Sequence, residues 1–418
     1  MEKYKEYKDS GVQWLGEIPS HWKAVLNGRI FKEDVRKALD TDISLSLSQK
    51  DGLIPTEEMQ ESSLKTSSYT NWKHVTPCDL VINRFKAHLG VMFASNYTGM
   101  VSFHYGVFKS VMPTNPKYFE YLFHTNVYKF LYADVSNGMT VGLQNLSNTA
   151  FYKVRGLYPP HAEQHSIVSY LDTKCSQLDS LLSNKEKEIS LLQEMKQRVI
   201  ADAVTRGINP SVKFKTTNIP WLPEIPEHWG KVKLKVLTLE GKNKNSENLE
   251  TNVLSLSYGK IIRKKNINDG LVPSDYATYQ IVDVDDIILR LTDLQNDHRS
   301  LRCGLVKERG IITSAYVCLK IRQGVSEYFY FLLHSFDIKK VFYSMGGGLR
   351  QSINYTEVSK LHVPVPPLSE QHSIVSYITE RASKIDLLIE KLNKEIESIK
   401  EYKQRLISDV VTGQVKVC

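Results

Sequence analysis

The side chains best suited to chemistry fall in a few short polar stretches. Asn83-Arg84-Phe85-Lys86-Ala87-His88 directly follows the apolar run Asp79-Leu80-Val81-Ile82. It combines an amide, a guanidinium, an ammonium and an imidazole, the groups that hold phosphates and pair with base edges. Arg290-Leu291-Thr292-Asp293 follows Asp286-Ile287-Ile288-Leu289 in the same way. A second pair of stretches, from Gly138 to Asn145 and from Gly346 to Ser352, sets glycines beside polar side chains. Glycine there permits close backbone approach to a ligand. The candidate nucleic-acid contacts are therefore Arg84, Lys86, His88, Gln144 and Asn145, with Arg290, Arg350 and Gln351 in the second set. Arg263, Lys264, Lys265, Arg299 and Arg302 add a basic surface beside that second set. Taken singly, each of these charges is also what an ordinary solvated loop carries.

Catalytic constellations are missing. An amino-methyltransferase needs Asn/Asp-Pro-Pro-aromatic, and Asn115-Pro116-Lys117-Tyr118 lacks the second proline. Gly346-Gly347-Gly348 lacks the Lys-Ser/Thr of a phosphate loop and reads as a turn. No Asp…Glu-x-Lys nuclease cluster stands out. We expect no catalytic residue and no cofactor.

The elements that must position these stretches show themselves through a duplication. Glu163-Gln164-His165-Ser166-Ile167-Val168-Ser169-Tyr170 recurs letter for letter as Glu370-Gln371-His372-Ser373-Ile374-Val375-Ser376-Tyr377, 207 positions on. Pro159-Pro160 precedes one copy and Pro366-Pro367 the other. Trp14-Leu15-Gly16-Glu17-Ile18-Pro19-Ser20-His21-Trp22 recurs at the same offset as Trp221-Leu222-Pro223-Glu224-Ile225-Pro226-Glu227-His228-Trp229. So long a period excludes solenoids and points to a duplicated domain plus helix. His161 and His165 could share a helix face as metal ligands, but Leu368 replaces His161 in the second copy, so no metal is expected.

After each Pro-Pro runs a heptad seam. It reads Leu171, Leu178, Lys185, Leu192, Val199 with Cys175, Leu182, Ile189, Lys196, Ala203. In the second copy it reads Ile378, Ile385, Leu392, Ile399, Leu406 with Ala382, Ile389, Ile396, Lys403, Val410. Such a seam predicts long helices, each about 60 Å, that must bury one stripe. The matching seam is the nearest partner, and an antiparallel pairing relates the two equal units by a pseudo-twofold axis. It would set one head at each end of a rod. Ser369 is a candidate cap, and Gly207 and Gly413 are candidate stops. Trp14, Trp22, Trp221 and Trp229 read as structural braces or partner-docking surface, and the Glu-Gln-His triplets as ties between head and helix. The middles, about 23–158 and 230–365, read as α+β domains, with aromatic helices over Tyr118–Tyr132 and Tyr328–Tyr343. The expected division is an arm plus globular domain at 1–158, helix 159–207, second domain 208–365 and helix 366–418. Residues 1–13 read as a short polar arm.

Composition fits this picture. The 418 residues are 41% hydrophobic and 24% charged, room for two or three ordinary cores. Net charge +8 is a mild basic bias, compatible with nucleic acid. The cysteines are odd in number and lack a Cys-x-x-Cys pair, which points to a reducing compartment. With no apolar run of spanning length and no apolar leader, a soluble, cytoplasmic protein is expected.

The two tryptophan–proline motifs and the two Pro-Pro-x-x-Glu-Gln-x-x-Ile-Val segments, in the order head, helix, head, helix, resemble the specificity subunits of type I restriction–modification systems. The resemblance spans essentially the whole chain. It implies two target-recognition domains reading the halves of a split double-stranded DNA site. It implies helices that dock methyltransferase subunits, normally two, and a restriction (motor-nuclease) subunit that can join. It implies no chemistry in this subunit and a Gly-rich loop with Gln before each Pro-Pro segment. A two-headed protein scaffold that binds no DNA is the competing reading.

Overall fold

The computed structural model describes residues 2–12, 14–59, 71–137, 144–264, 276–294, 301–345 and 352–417. The chain forms two compact units, Met1–Lys185 with Asn393–Cys418, and Glu186–Leu392.

In the first unit the chain runs β1 (Tyr7–Asp9), β2 (Glu17–Pro19), β3 (Lys23–Leu26), α1 (Asn27–Ile30), β4 (Phe31–Glu33), β5 (Leu45–Ser48), β6 (Gly52–Pro55), β7 (Lys73–Val75) and β8 (Leu80–Asn83). It continues β9 (Met92–Ala94), β10 (Gly99–Val101), β11 (Tyr105–Ser110), α2 (Pro116–Phe123), α3 (Asn126–Val135), α4 (Asn148–Lys153), β12 (Arg155–Tyr158) and enters α5 (His161–Arg206). The central sheet has the order β4-β11-β8-β9, antiparallel throughout. Period-two alternation buries both of its faces. Leu80 and Ile82 join Phe31, Phe108, Phe119 and Phe151 in the main core, while Val81 joins Leu45, Leu53 and Val75 in a smaller one.

Two expectations are corrected here. The N-terminal residues are no loose arm, because Tyr7–Asp9 pairs with Glu17–Pro19. Gly11 and Gly16, at φ +70° and +65°, shape the turn, and the Tyr7 hydroxyl donates to Gly413 O at 3.0 Å. The aromatic helix over Tyr118–Tyr132 is two helices. Asn115 caps α2, with Pro116 in its first turn, and Thr125, extended at ψ 150°, ends it and opens α3.

Residues 161–185 of α5 pack against residues 393–411. Lys403 Nζ reaches Asp179 at 2.6 Å and Lys185 pairs with Glu395, so numbers rise on one helix as they fall on the other. The pairing is antiparallel. Leu171, Cys175, Ile396, Leu406 and Val410 are buried, with Leu178, Leu182 and Ile399 half-buried between them. The lysines that interrupt the seam are tolerated because their stems cover it while their heads meet carboxylates. Leu406, Val410 and Val411 close the main core, where the Tyr118 hydroxyl donates to Val411 O at 2.9 Å.

The second unit repeats this order: β13 (Phe214–Ile219), β14 (Leu222–Pro226), β15 (Gly230–Lys233), α6 (Leu234–Leu237), β16 (Thr238–Gly241), β17 (Leu254–Ser257), β18 (Lys260–Arg263), β19 (Gln280–Val282) and β20 (Ile287–Leu289). Then come β21 (Cys303–Leu305), β22 (Gly310–Ile312), β23 (Val317–Ile321), α7 (Ser326–Ile338), α8 (Tyr355–Val358), β24 (His362–Val365) and α9 (Leu368–Val411). The sheet order β16-β23-β20-β21 matches that of the first unit strand for strand. The helix expected over Tyr328–Tyr343 stops at Ile338, and Lys340 at φ +59° turns the chain into a short 3-10 segment, Val341–Ser344. Lys196 Nζ meets Asp386 at 2.6 Å, again antiparallel, and Ile200, Ala203 and Val204 enter the core. The Tyr328 hydroxyl donates to Val204 O at 2.9 Å, as Tyr118 does to Val411. Ser369 is not a cap. The helix opens one residue earlier, and the Glu370 and Gln371 amides donate to Pro367 O. Gly207 and Gly413 follow α5 and α9 at φ +77° and +76°. Among the described residues no helix is long and apolar enough to cross a membrane.

Candidate nucleic-acid interface

The polar stretches meet at one end of each central sheet. Asn83 ends β8 opposite Tyr105, the first residue of β11. Its side-chain oxygen accepts from the Phe85 amide at 3.1 Å and the Lys86 amide at 3.2 Å, fixing the turn that follows. The Leu146 amide donates to Arg84 O at 3.0 Å, which brings Gln144 and Asn145 beside Arg84 although 60 residues separate them. The backbones of Asn145 and Asn137 exchange hydrogen bonds of 2.8 and 3.1 Å. Lys86 and Asn145 are exposed and Gln144 is half-buried. Such a cluster of cation and amides can hold phosphates and read base edges.

Arg84 is half-buried and partly committed. Its Nη2 donates to Glu33 Oε1 at 2.6 Å and to Asn148 Oδ1 at 2.8 Å. Burial works to raise the Glu33 carboxyl, but Lys73 at 2.8 Å, Arg84 and Asn148 outweigh it, so Glu33 titrates below its ordinary range. Arg84 thus braces the loop's base as well as charging it. His88 lies on the 3-10 turn Ala87–Leu89, with Nδ1 buried and without a partner.

The second unit builds the same corner. Ile353 N donates to Leu291 O at 3.0 Å, the counterpart of Leu146 to Arg84. Arg302, expected as a surface contact, is instead fully buried. Its Nε donates to the Tyr343 hydroxyl at 3.0 Å, Nη1 to Arg290 O and Thr292 O at 3.1 and 2.7 Å, and Nη2 to Asp293 O at 3.2 Å. At least four of its five N–H donors are engaged within the protein and the side chain is fully buried, so Arg302 holds the loop's shape and cannot reach DNA from there. Arg290 is half-buried. Arg263, at the end of β18, is exposed and pairs with Glu308 at 2.7 Å; Lys264 beside it is exposed. Arg299, Arg350, Gln351 and Lys265 lie outside the described residues, as do Gly138 to Leu143 and Gly346 to Gly348.

A family model described as the type I restriction modification DNA specificity domain matches residues 227–398. Over those residues the chain is similar to type I restriction–modification specificity proteins. Over 66% of its length it is 26% identical to the putative type I restriction enzyme MjaX specificity subunit of Methanocaldococcus jannaschii, and 28% identical to the MjaVIII subunit of the same organism. Those matches span 63% and 65% of the relatives' own lengths. Escherichia coli EcoBI specificity subunit is 23% identical over 72% of this chain and 66% of its own. Two solved structures share the fold at 13% identity over 95% of this chain. One, from work on complex assembly and conformational transition of the type I R-M system, gives a TM-score of 0.69 and is 99% covered. The HsdS subunit of Thermoanaerobacter tengcongensis gives 0.55 and is 98% covered.

The duplicated triplets tie each head to its helix. Gln164 Oε1 accepts from Asn115 N at 2.9 Å and its Nε2 donates to Pro159 O at 3.0 Å. Gln371 repeats the arrangement with Val325 N and Pro366 O, both at 2.9 Å. Glu163 pairs with His21 and Glu370 with His228, each at 2.9 Å. Trp22 and Trp229 are buried beneath them, whereas Trp14 stays partly exposed against Tyr128.

One surface feature escaped the sequence reading. The turn Ser102-Phe103-His104-Tyr105 lies at the same sheet end as Asn83–Lys86. Phe103 lies against His104, the rings tilted by 37° with centres 3.9 Å apart, and the Phe85 ring centre lies 5.8 Å from that of His104. Two adjacent aromatics in a turn of hydrogen-bonding residues were the available signal; the approach of Phe85 came only from strand pairing.

Proposed function

We propose that the chain is the DNA-recognition subunit of a type I restriction–modification complex, reading a bipartite double-stranded site and carrying no catalysis of its own. Recognition domains at 1–158 and 208–365 each take one half of the site, through Arg84, Lys86, Gln144 and Asn145 in the first and Arg290, Arg350 and Gln351 in the second. The helical segments 159–207 and 366–418 dock two methyltransferase subunits, with which a restriction subunit can associate.

The observation that carries this reading is a contrast within one molecule. The scaffold repeats strand for strand, down to the Gln164 and Gln371 clamps. The loops at the sheet ends do not repeat: Asn83-Arg84-Phe85-Lys86 stands where the second unit has Arg290-Leu291-Thr292-Asp293. Twin frames bearing unlike side chains suit a target with two unlike halves. Matched partners for a scaffold would instead select matched surfaces.

Methylation is mapped across the source genome with the gene present and deleted. A single two-part motif should lose its methylation on deletion. Unchanged methylation, together with no preference for any split site in gel shifts with the methyltransferase subunit present, refutes the reading.

A further inference from the structure

The aromatics at the sheet end of the first unit sit on the turn itself, whereas in the second unit the turn residue Ser314 donates to Thr278 O, between the paired rings of Tyr276 and Tyr279. The two turns are otherwise alike. Tyr105 N donates to Ser102 O at 2.9 Å, and Tyr316 N donates to Thr313 O at 3.2 Å. The hydroxyl of the leading residue accepts the third residue's amide in both, His104 N at 3.4 Å and Ala315 N at 3.3 Å. The backbone is therefore common property of the scaffold. Only the side chains at its tip differ: Phe103-His104 in one unit, Ser314-Ala315 in the other.

Exposure separates these rings from the core aromatics. Phe31, Phe108, Phe119, Phe123 and Phe151 are fully buried or nearly so, whereas Phe85 is 42% and Phe103 50% exposed. Both are held in place before any partner arrives. The Asn83 side chain pins the Phe85 turn, the Ser102 turn pins Phe103 and His104, and the rings lean on one another. Rigid apolar groups kept in water at one end of a sheet contribute little to folding, but lose little freedom on binding. Lys86 is exposed beside Phe85, and Arg84 precedes it, so the patch is apolar at its centre with cations at its edge. That pattern fits a polyanion presenting an apolar group, which in duplex DNA is the thymine C5-methyl in the major groove.

We infer that Phe85 and Phe103, steadied by His104, form an apolar contact to a thymine methyl in the half-site read by the first unit, at positions where the second unit carries Thr292 and Ser314. This rests on the DNA-recognition reading above. It adds an apolar discriminator to a surface otherwise made of cations and amides.

The test uses the full chain assembled with its methyltransferase subunits, on duplexes carrying the methylated motif found by genome mapping. Each thymine in both halves is replaced in turn by uracil, which deletes the methyl and nothing else. For the natural complex, one thymine in one half should show roughly fourfold weaker binding as uracil, the value of one buried methyl-sized group. Phe103→Ala and Phe85→Ala should weaken binding to the thymine duplex and abolish that uracil sensitivity, leaving the other half's profile unchanged. Phe103→Leu should retain part of it. Natural uracil profiles and affinities in both alanine variants overturn the inference while leaving DNA recognition standing. A natural complex that prefers no split duplex removes both. Because the rings are half exposed, the alanine variants should fold, and unchanged circular dichroism verifies this.

Discussion

Replacing Gln164 by Ala should loosen one head and spare the other. The Gln164 side chain is fully buried and makes two bonds, to Asn115 N and Pro159 O, that nothing else replaces. Its loss strands a backbone donor and a backbone acceptor. Each stranded group costs about 1–3 kcal/mol, so the variant should lose about 2–6 kcal/mol locally. Against a domain stability of about 5–15 kcal/mol that is a large fraction. The readout is amide hydrogen exchange. Asn115 N–H should exchange at least about 30-fold faster in Gln164→Ala, the equivalent of the lower figure. Val325 N–H, held by Gln371 in the other unit, should keep its natural rate. Gln371→Ala should give the mirror result. Gln164→Glu keeps an acceptor for Asn115 but, when ionised, turns a negative oxygen toward Pro159 O, so it should be less stable at pH 8 than at pH 5. Asn115 exchange within threefold of natural, or a like response of both units to either change, refutes the clamp.

Mild acid should destabilise both units. Burial, with Lys129 near, lowers His124 to about 4, and burial, with Lys196 near, lowers His334 to about 4. Unfolded imidazoles titrate near about 6.5, so the unfolded chain takes protons that the folded chain refuses; stability is full above that value and falls as pH drops toward 4. At pH 5 each contributes about 2 kcal/mol of loss, and urea midpoints at pH 7.5 and 5.0 should converge in His124→Gln and His334→Gln. Gly413→Ala should cost more than Gly207→Ala in thermal unfolding. Both have positive φ, but the new Cβ would lie 2.5 Å from Pro19 Cδ in the first and 3.2 Å from Trp229 Cζ2 in the second. Arg302→Met removes the donors that Arg302 gives to the carbonyls of Arg290, Thr292 and Asp293 and should lower stability by about 3 kcal/mol or more, seen in the thermal midpoint. Lys86→Ala should leave stability within about 0.5 kcal/mol. It should flatten the dependence of log binding constant on log salt by about 0.9 if it meets a phosphate.

The helices were legible because their signal is periodic and long. Every seam position named from the heptads is buried or half-buried, lysines included. Gly207 and Gly413 were legible as helix stops for a similar reason, since positive φ leaves few alternatives. The β1 strand was not, because three polar residues become a strand only when Glu17–Pro19 lies alongside. Nor was the fate of Arg302. Its charge reads as surface in any sequence, and only the fold brings Tyr343 and three carbonyls around it. The corner that joins Arg84 to Gln144 needed strand pairing and a loop return, while the Gln164 clamp was half visible: its duplication marked it as a brace, but not its partners.

The first unit is discontinuous, Met1–Lys185 with Asn393–Cys418, while the second is one unbroken stretch, Glu186–Leu392. On the ribosome this reverses the usual order of events. At about 5–20 residues per second, the leading segment waits on the order of 10–40 s for the final helical turns that seal it. The trailing unit has all its parts first. During that interval the aromatic core around Tyr118 has no lid from Val410 and Val411. Chains truncated just short of Asn393 and released from the ribosome should therefore be protease-sensitive in their oldest portion and resistant in their youngest.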